Sequence, residues 1–351
     1  MGYSRIKIPA PAAYHITSRI KNDDFLLEDD EDKRSLLDII RRAAAFADIA
    51  VMSHAILDNH FHLLVHIPAR REIDDAELER RVRILWGDEK ADAAFSRWRF
   101  RESHGKAALA EKERDAFRRR MHDISKFVKT IKEMFTYAHH KRHGTCGSVW
   151  GASRFKSAAV SSDFKTLATV SAYIDLNAVR ARIARHPKSY KWCGLGAAKN
   201  GDKLALHGVN FLARDAERLA KDESALDAYM RFLDGTKAKK NPVDRLISDR
   251  RGGYVRKTLD SADLTRLGAE GVERWLAASE IQPESASEMW TRRFGNFAMG
   301  GIIGPLAAVL TARESIVRGA YIYSRWQPGM VEGVYSFIRE RNVKAKKRNA
   351  S

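Results

Sequence analysis

Cysteine is scarce, with only Cys146 and Cys193 in 351 residues. That is too few for a disulfide framework or a cysteine-rich zinc cage, and it points to a reducing cytoplasm. Long apolar runs are also missing. The longest, Phe297 to Leu310, is shorter than a bilayer span and carries three glycines and Pro305. The opening MGYSRIKIP lacks the apolar core of a signal peptide, so a soluble chain without membrane attachment is expected. Negative charge is in deficit: 45 Asp+Glu face 63 Lys+Arg, a formal net charge of +18. An excess of that size favours an acidic polymer as partner. Hydrophobic residues make up 44% of the chain, which excludes a mostly disordered protein. The length allows two domains, or one with large additions.

The positive charge is clustered. Lys141 to Lys199 holds eleven Lys and Arg against two Asp, half of the net excess. The end of the chain, RERNVKAKKRNAS from Arg339, has six bases, one acid and no apolar periodicity, and reads as a basic arm. Arg70 to Arg120 mixes both signs thickly, as solvated helix faces do.

Ala13 to Ile20 is rich in β-formers, and Asp30 to Ile49 follows with helical spacing after an acidic first turn. Ala50 to Leu57 and His60 to Ile67 are apolar runs separated by Asp58-Asn59, a dipeptide suited to a tight hairpin turn. Helical patterns cover about 74–83 and 106–121, then a long one runs from Asp123 to Lys141. Ser153 to Val160 reads as a strand, and Ser162-Asp163 can cap a helix running to about Ala184. The order is βαββ, helical insert, α, β, α, which predicts an α+β sheet with helices packed on one face. Beyond Trp192 the pattern is helical, with Trp275, Leu276, Trp290, Phe294, Phe297, Ile302, Ile303 and Leu306 as core candidates.

Two groups of residues carry chemistry. In HFHLLVHI a period of two puts Phe61, Leu63, Val65 and Ile67 on one face and His60, His62, Leu64 and His66 on the other. The imidazoles of His60 and His62 then project side by side and could share one divalent cation; a plain pair of sheet histidines is the other reading. On the last helix, Asn177 lies four positions after Tyr173, on the same face. A tyrosine hydroxyl beside a metal-bound phosphate can attack phosphorus, and an amide oxygen can complete a cation's shell. A half-buried tyrosine beside a helix-end asparagine is the structural alternative.

Taken together, ILDNHFHLLVHIP, GSVWGASRFKSAAV and AYIDLNAVRARIARHPKSYKW resemble the IS200-like single-tyrosine (HUH) transposases, most closely their REP-associated branch. The resemblance spans about Tyr14 to Trp192 and implies a ferredoxin-like antiparallel sheet. It implies His60 and His62 as metal ligands, Tyr173 as the catalytic nucleophile and Asn177 as third ligand. The implied chemistry is cleavage and rejoining of single-stranded or hairpin DNA through a 5′-phosphotyrosine, with Mg2+ or Mn2+. Ala178 stands where that branch usually has proline. On this reading residues 1–199 form the catalytic domain with an insert at about 70–120, 200–338 a mainly helical accessory region, and 339–351 the basic tail.

Arg154 and Lys156 alternate around Phe155 and share a face suited to phosphate contact. Trp150 either stacks on an unpaired base or closes the core edge. Arg180 and Arg182 would extend the positive surface. His54, His66 and His143 read as structural or surface histidines, with His66 a candidate support for the ligand pair. Relatives of this kind occur as dimers and as single chains, and a homodimer is the expected state. Two rival functions stand beside the transposase: a DNA-binding protein that has lost catalysis or serves its host, and a metal phosphoesterase using water.

Overall fold

A computed structural model describes residues 8–151, 155–213, 224–235, 267–268, 270–271, 273–274, 301–317, 324–331 and 333–339. Strand β1 (Ala12–Arg19) leads to helix α1 (Asp30–Ala47), and a tight hairpin joins β2 (Ala50–Ile56) to β3 (His60–Ile67). The helical insert is α2 (Asp75–Trp86), α3 (Asp88–Ser103) and α4 (Ala107–Arg118). After it come α5 (Ile124–His143), β4 (Lys156–Val160), α6 (Phe164–Asp175) and the short α7 (Asn177–Arg180). Then follow α8 (Gly194–Lys199), α9 (Lys203–Ala213), α10 (Ala225–Gly235), β5 (Gly301–Gly304), α11 (Leu306–Val317), β6 (Ser324–Val331) and β7 (Val334–Arg339).

The strands form one sheet in the order β2-β3-β1-β4-β5-β7-β6. Its first four strands are mutually antiparallel and have the β2-β3-β1-β4 order that a βαββαβ chain predicts. The fold is α+β, as the sequence implies. The C-terminal region, expected to be mainly helical, also extends this sheet: β5 pairs in parallel with β4, Ala159 opposite Ile302 and Val160 opposite Ile303, and β7 and β6 continue it. Ile302, Ile303 and Leu306 are core residues, as proposed. Trp275, Leu276, Trp290, Phe294, Phe297 and the tail from 340 lie outside the described residues.

The pleat sorts the helices between two faces. Phe61 points to the face covered by α1 and α5, where it meets Trp150, which in turn meets Phe135 of α5. The histidine face of β3 looks the other way, and there α6 and α9 pack: Tyr173 lies beside His62, and Phe211 beside His66. The one-face arrangement therefore belongs to α1 and α5, and a second layer covers the opposite side. This second layer explains why every residue of α6 from Thr166 to Asp175 is buried. Helix α6 ends at Asp175, earlier than the expected run to about Ala184, and α7 follows as a separate turn. The Asn177 side-chain amide donates to the carbonyls of Tyr173 (3.0 Å) and Ile174 (3.2 Å), taking up acceptors left at a helix end.

The insert has a core of its own, beyond the solvated faces read from its charge. Leu78, Val82, Leu85, Phe95 and Trp98 are buried, and Trp98 and Phe117 meet edge to face. Its dense charges pair within it, Arg114 with Glu102 (2.6 Å) and Arg81 with Glu77 (2.7 Å), and Arg81 also pairs with Asp48 at the end of α1 (2.8 Å).

Candidate active site

Three elements build the site. Strand β3 contributes His60 and His62, β1 contributes His15 and Thr17, and α6 crosses above them with Tyr173. Thr17 stands directly opposite His62 in the ladder, and His15 opposite Leu64, so all of them share one face. The rings of His60 and His62 are 5.0 Å apart, His62 and Tyr173 6.1 Å, and His15 and Tyr173 5.9 Å, measured between centroids. His62 is thus in ring contact with both His60 and Tyr173. This arrangement depends on strand pairing and on the packing of α6, neither of which is local in sequence.

Each ligand candidate is held by its Nδ1. His62 Nδ1 lies 3.0 Å from His15 Nε2 and 3.0 Å from Thr17 Oγ1. His60 Nδ1 lies 2.6 Å from Asn59 Oδ1. Fixing one ring nitrogen in this way orients an imidazole so that its Nε2 can carry a cation, the arrangement found around metal-binding histidines. A donor set of two imidazoles beside a phenol fits a divalent ion by its chemistry. His15 and Thr17 are the functional candidates that motif reading missed. Their signal was present in the alternation of β1, but only the register to β3 sets them beside His62.

Asn177 lies one turn beyond Tyr173, its side-chain amide donating to the Tyr173 backbone carbonyl. Arg180 also donates to that carbonyl, and its guanidinium lies 4.5 Å from the centre of the Tyr173 ring. Arg180 is thus tied to the tyrosine rather than simply widening a basic surface. Tyr173 and His62 are both completely buried, and Arg180 is half-buried.

The remaining candidates separate. Lys156 is exposed on the same face, opposite Thr17, which is itself opposite His62. It stands two strands from His62, about 10 Å. Arg182 is exposed at a backbone turn of positive φ (60°) after α7. Arg154 lies outside the described residues. Trp150 is corrected to a core residue: it is buried against Phe61 and Phe135, and its indole N–H donates to the Lys132 carbonyl at 3.0 Å. The Lys132 ammonium lies over its ring, 5.4 Å from the centroid, so the indole closes the core edge beneath a lysine. His66 packs on Phe211, 4.8 Å between rings, away from the ligand pair.

Two buried titratable groups lie near these elements. Burial, with Arg41 as a lesser cause, pushes His54 on β2 down to about 4, so it is neutral at pH 7. Burial raises the Asp175 carboxyl of α6 to about 6. The Tyr229 hydroxyl donates to it at 2.7 Å and the Leu195 amide at 3.1 Å, fastening α10 and α8 to α6.

No protein-family model matches the chain, and no curated protein matches it. Among solved structures, a REP-associated tyrosine transposase bound to a REP hairpin is similar. The identity is 15%, over 58% of this chain and 90% of that one, with a TM-score of 0.36. At that distance the likeness carries no argument about what this chain does. Among the described residues, no helix is long and apolar enough to cross a membrane.

Proposed function

We propose that the protein is a metal-dependent DNA strand transferase that acts through Tyr173. The observation that carries this reading is the meeting of a histidine pair, each ring oriented through its Nδ1, with a tyrosine from a distant helix. His60 and His62 would hold Mg2+ or Mn2+, with Asn177 as the third ligand. The ion supplies Lewis-acid stabilisation of charge on a nonbridging phosphate oxygen.

The chain's own residues do the rest. Tyr173 Oη bonds to phosphorus as the P–O3′ bond breaks; the phenol gives up its proton and the departing O3′ takes one up. The products are a 5′-phosphotyrosine and a free 3′-hydroxyl. Attack by another DNA 3′-hydroxyl reverses the step and rejoins the strand. His15 and Thr17 keep His62 in register. Because Tyr173 is buried, the strand must displace what covers it, and the half-buried Arg180 over its ring is the natural group to move onto an incoming phosphate. Lys156 and Arg182 would hold flanking phosphates.

That same burial supports a second reading, a DNA-binding protein whose site is closed to chemistry. One experiment separates the two. Labelled single-stranded hairpin DNA is incubated with the full chain and Mn2+ and run on a denaturing gel. The enzyme reading expects a slow-migrating protein–DNA adduct that disappears in Tyr173→Phe while DNA binding changes less than about twofold, under 0.5 kcal/mol. Cleavage that persists in Tyr173→Phe would overturn it, and binding without any cleavage would favour the second reading.

A further inference from the structure

On the opposite side of the sheet, where α1 meets the end of α5, lies a cluster that the proposed DNA chemistry does not use. Asp32 sits in the first turn of α1 and is buried. His139 and His143, four residues apart on one face of α5, reach it from the last turns of that helix. His143 Nε2 is 2.9 Å from Asp32 Oδ2, and the two imidazole centroids are 4.3 Å apart. One donor atom from each of the three residues can be chosen so that all lie within 4.8 Å of one another.

Two further observations point to a ligand. His139 is only 6% exposed, and its Nδ1 faces Asp32 Oδ1 at 3.5 Å, within ion-pair reach but with no well-formed hydrogen bond among the described residues. That spacing is long for an N–H···O bond. It is close to the roughly 3.3–3.4 Å edge between neighbouring ligand atoms of a tetrahedron with metal bonds of about 2.0–2.1 Å. The local charge also suits a cation: Asp32 carries a full negative charge, and the carbonyl end of α5 offsets the opposite dipole end of α1, where Asp32 sits.

Arg142 now contributes positive charge there. Its guanidinium lies 3.1 Å from Asp32 Oδ2 and also pairs with Asp29. An ion taking the Asp32 oxygens would leave Arg142 with Asp29, so the guanidinium is not stranded. The remaining histidine of the last turn, His140, bonds to Thr145 Oγ1 and the Gly147 carbonyl instead and ties down the following turn.

We infer that Asp32, His139 and His143 form a second metal site, for zinc or a similar borderline divalent ion, with water in the fourth position. Imidazole with carboxylate suits such ions better than it suits magnesium. The ion would clamp α1 to α5 just before the loop that leads to Trp150. The inference does not depend on the proposed chemistry, since the two sites lie on opposite faces of the sheet.

The test uses Co2+ as a spectroscopic probe, with Zn2+ competition, on the full chain carrying His60→Asn and His62→Asn so that the first pair is silent. This protein is expected to bind one equivalent of Co2+ with the intense visible absorption of a four-coordinate ion. Adding His143→Gln or His139→Gln should weaken binding at least tenfold, since even the loss of an outer hydrogen-bond partner costs roughly 10–100-fold. Because a histidine variant could disturb packing, a half-exposed position gives a second measurement: Arg142→Met removes the competing cation and should tighten binding. Absence of Co2+ binding, indifference to both histidine substitutions, or an Arg142→Met protein that binds no more tightly would each overturn the inference.

Discussion

At the scale of single residues, the site rests on imidazoles held from behind. His15 does not need to touch substrate to matter, because its Nε2 and Thr17 Oγ1 both lie 3.0 Å from His62 Nδ1. His15→Ala is expected to weaken Mn2+ binding at the His60–His62 pair by roughly 10–100-fold, measured by calorimetry. His15→Gln, which keeps a hydrogen-bonding group, should recover part of the loss; equal affinity in all three proteins would show that His15 only fills space. The two proposed ligand histidines were legible because alternation along one strand is a local property. His15 was not, because its partner is 47 residues away in the chain. Trp150 was left between two readings, a loop platform and a core edge, and only its contacts with Phe61 and Phe135 place it at the core edge.

At the scale of elements, α6 is the hinge of the fold. Its capping by Asp163 and its sequence FKTLATVSAYID predicted a helix correctly. An all-round apolar helix implies cover on every side, but which elements supply the cover depends on α8, α9 and α10, far along the chain. The buried Asp175 fastens two of them and makes stability pH-dependent. Its folded pKa, about 6, is raised above its unfolded value, so its contribution is fully present below about pH 4 and is lost as pH rises through about 6. The loss amounts to roughly 3 kcal/mol, at about 1.4 kcal/mol per unit. Asp175→Asn, which cannot ionise, should therefore lose stability relative to wild type most at pH 4 and least at pH 7, shown by urea unfolding at both values. His54 acts with the opposite sign: its lowered pKa makes the fold less stable as pH falls from 6.5 towards 4. That effect is common to both proteins and cancels from the comparison.

At the scale of the whole molecule, the charge of +18 governs encounter with any polyanion. Single-strand DNA affinity is expected to fall with salt along a log–log line, and Lys156→Gln should make that slope shallower by about 0.7, the share of one phosphate contact. An unchanged slope would remove Lys156 from the interface. The four strands of the amino-terminal half were readable because each apolar run has its own turn signals. The three added strands were not, because β5 is four residues of Gly and Ile and means little until it is set beside β4.

That junction decides how the molecule can be divided. Ala159 and Val160 give their outward backbone edge to Ile302 and Ile303, so a chain cut after residue 199 would carry a raw seam of unsatisfied amides and carbonyls. Such seams template their own kind. The fragment should therefore sediment as growing multimers under conditions where the intact protein stays dispersed, and a monodisperse fragment would mean that the amino-terminal half is self-sufficient.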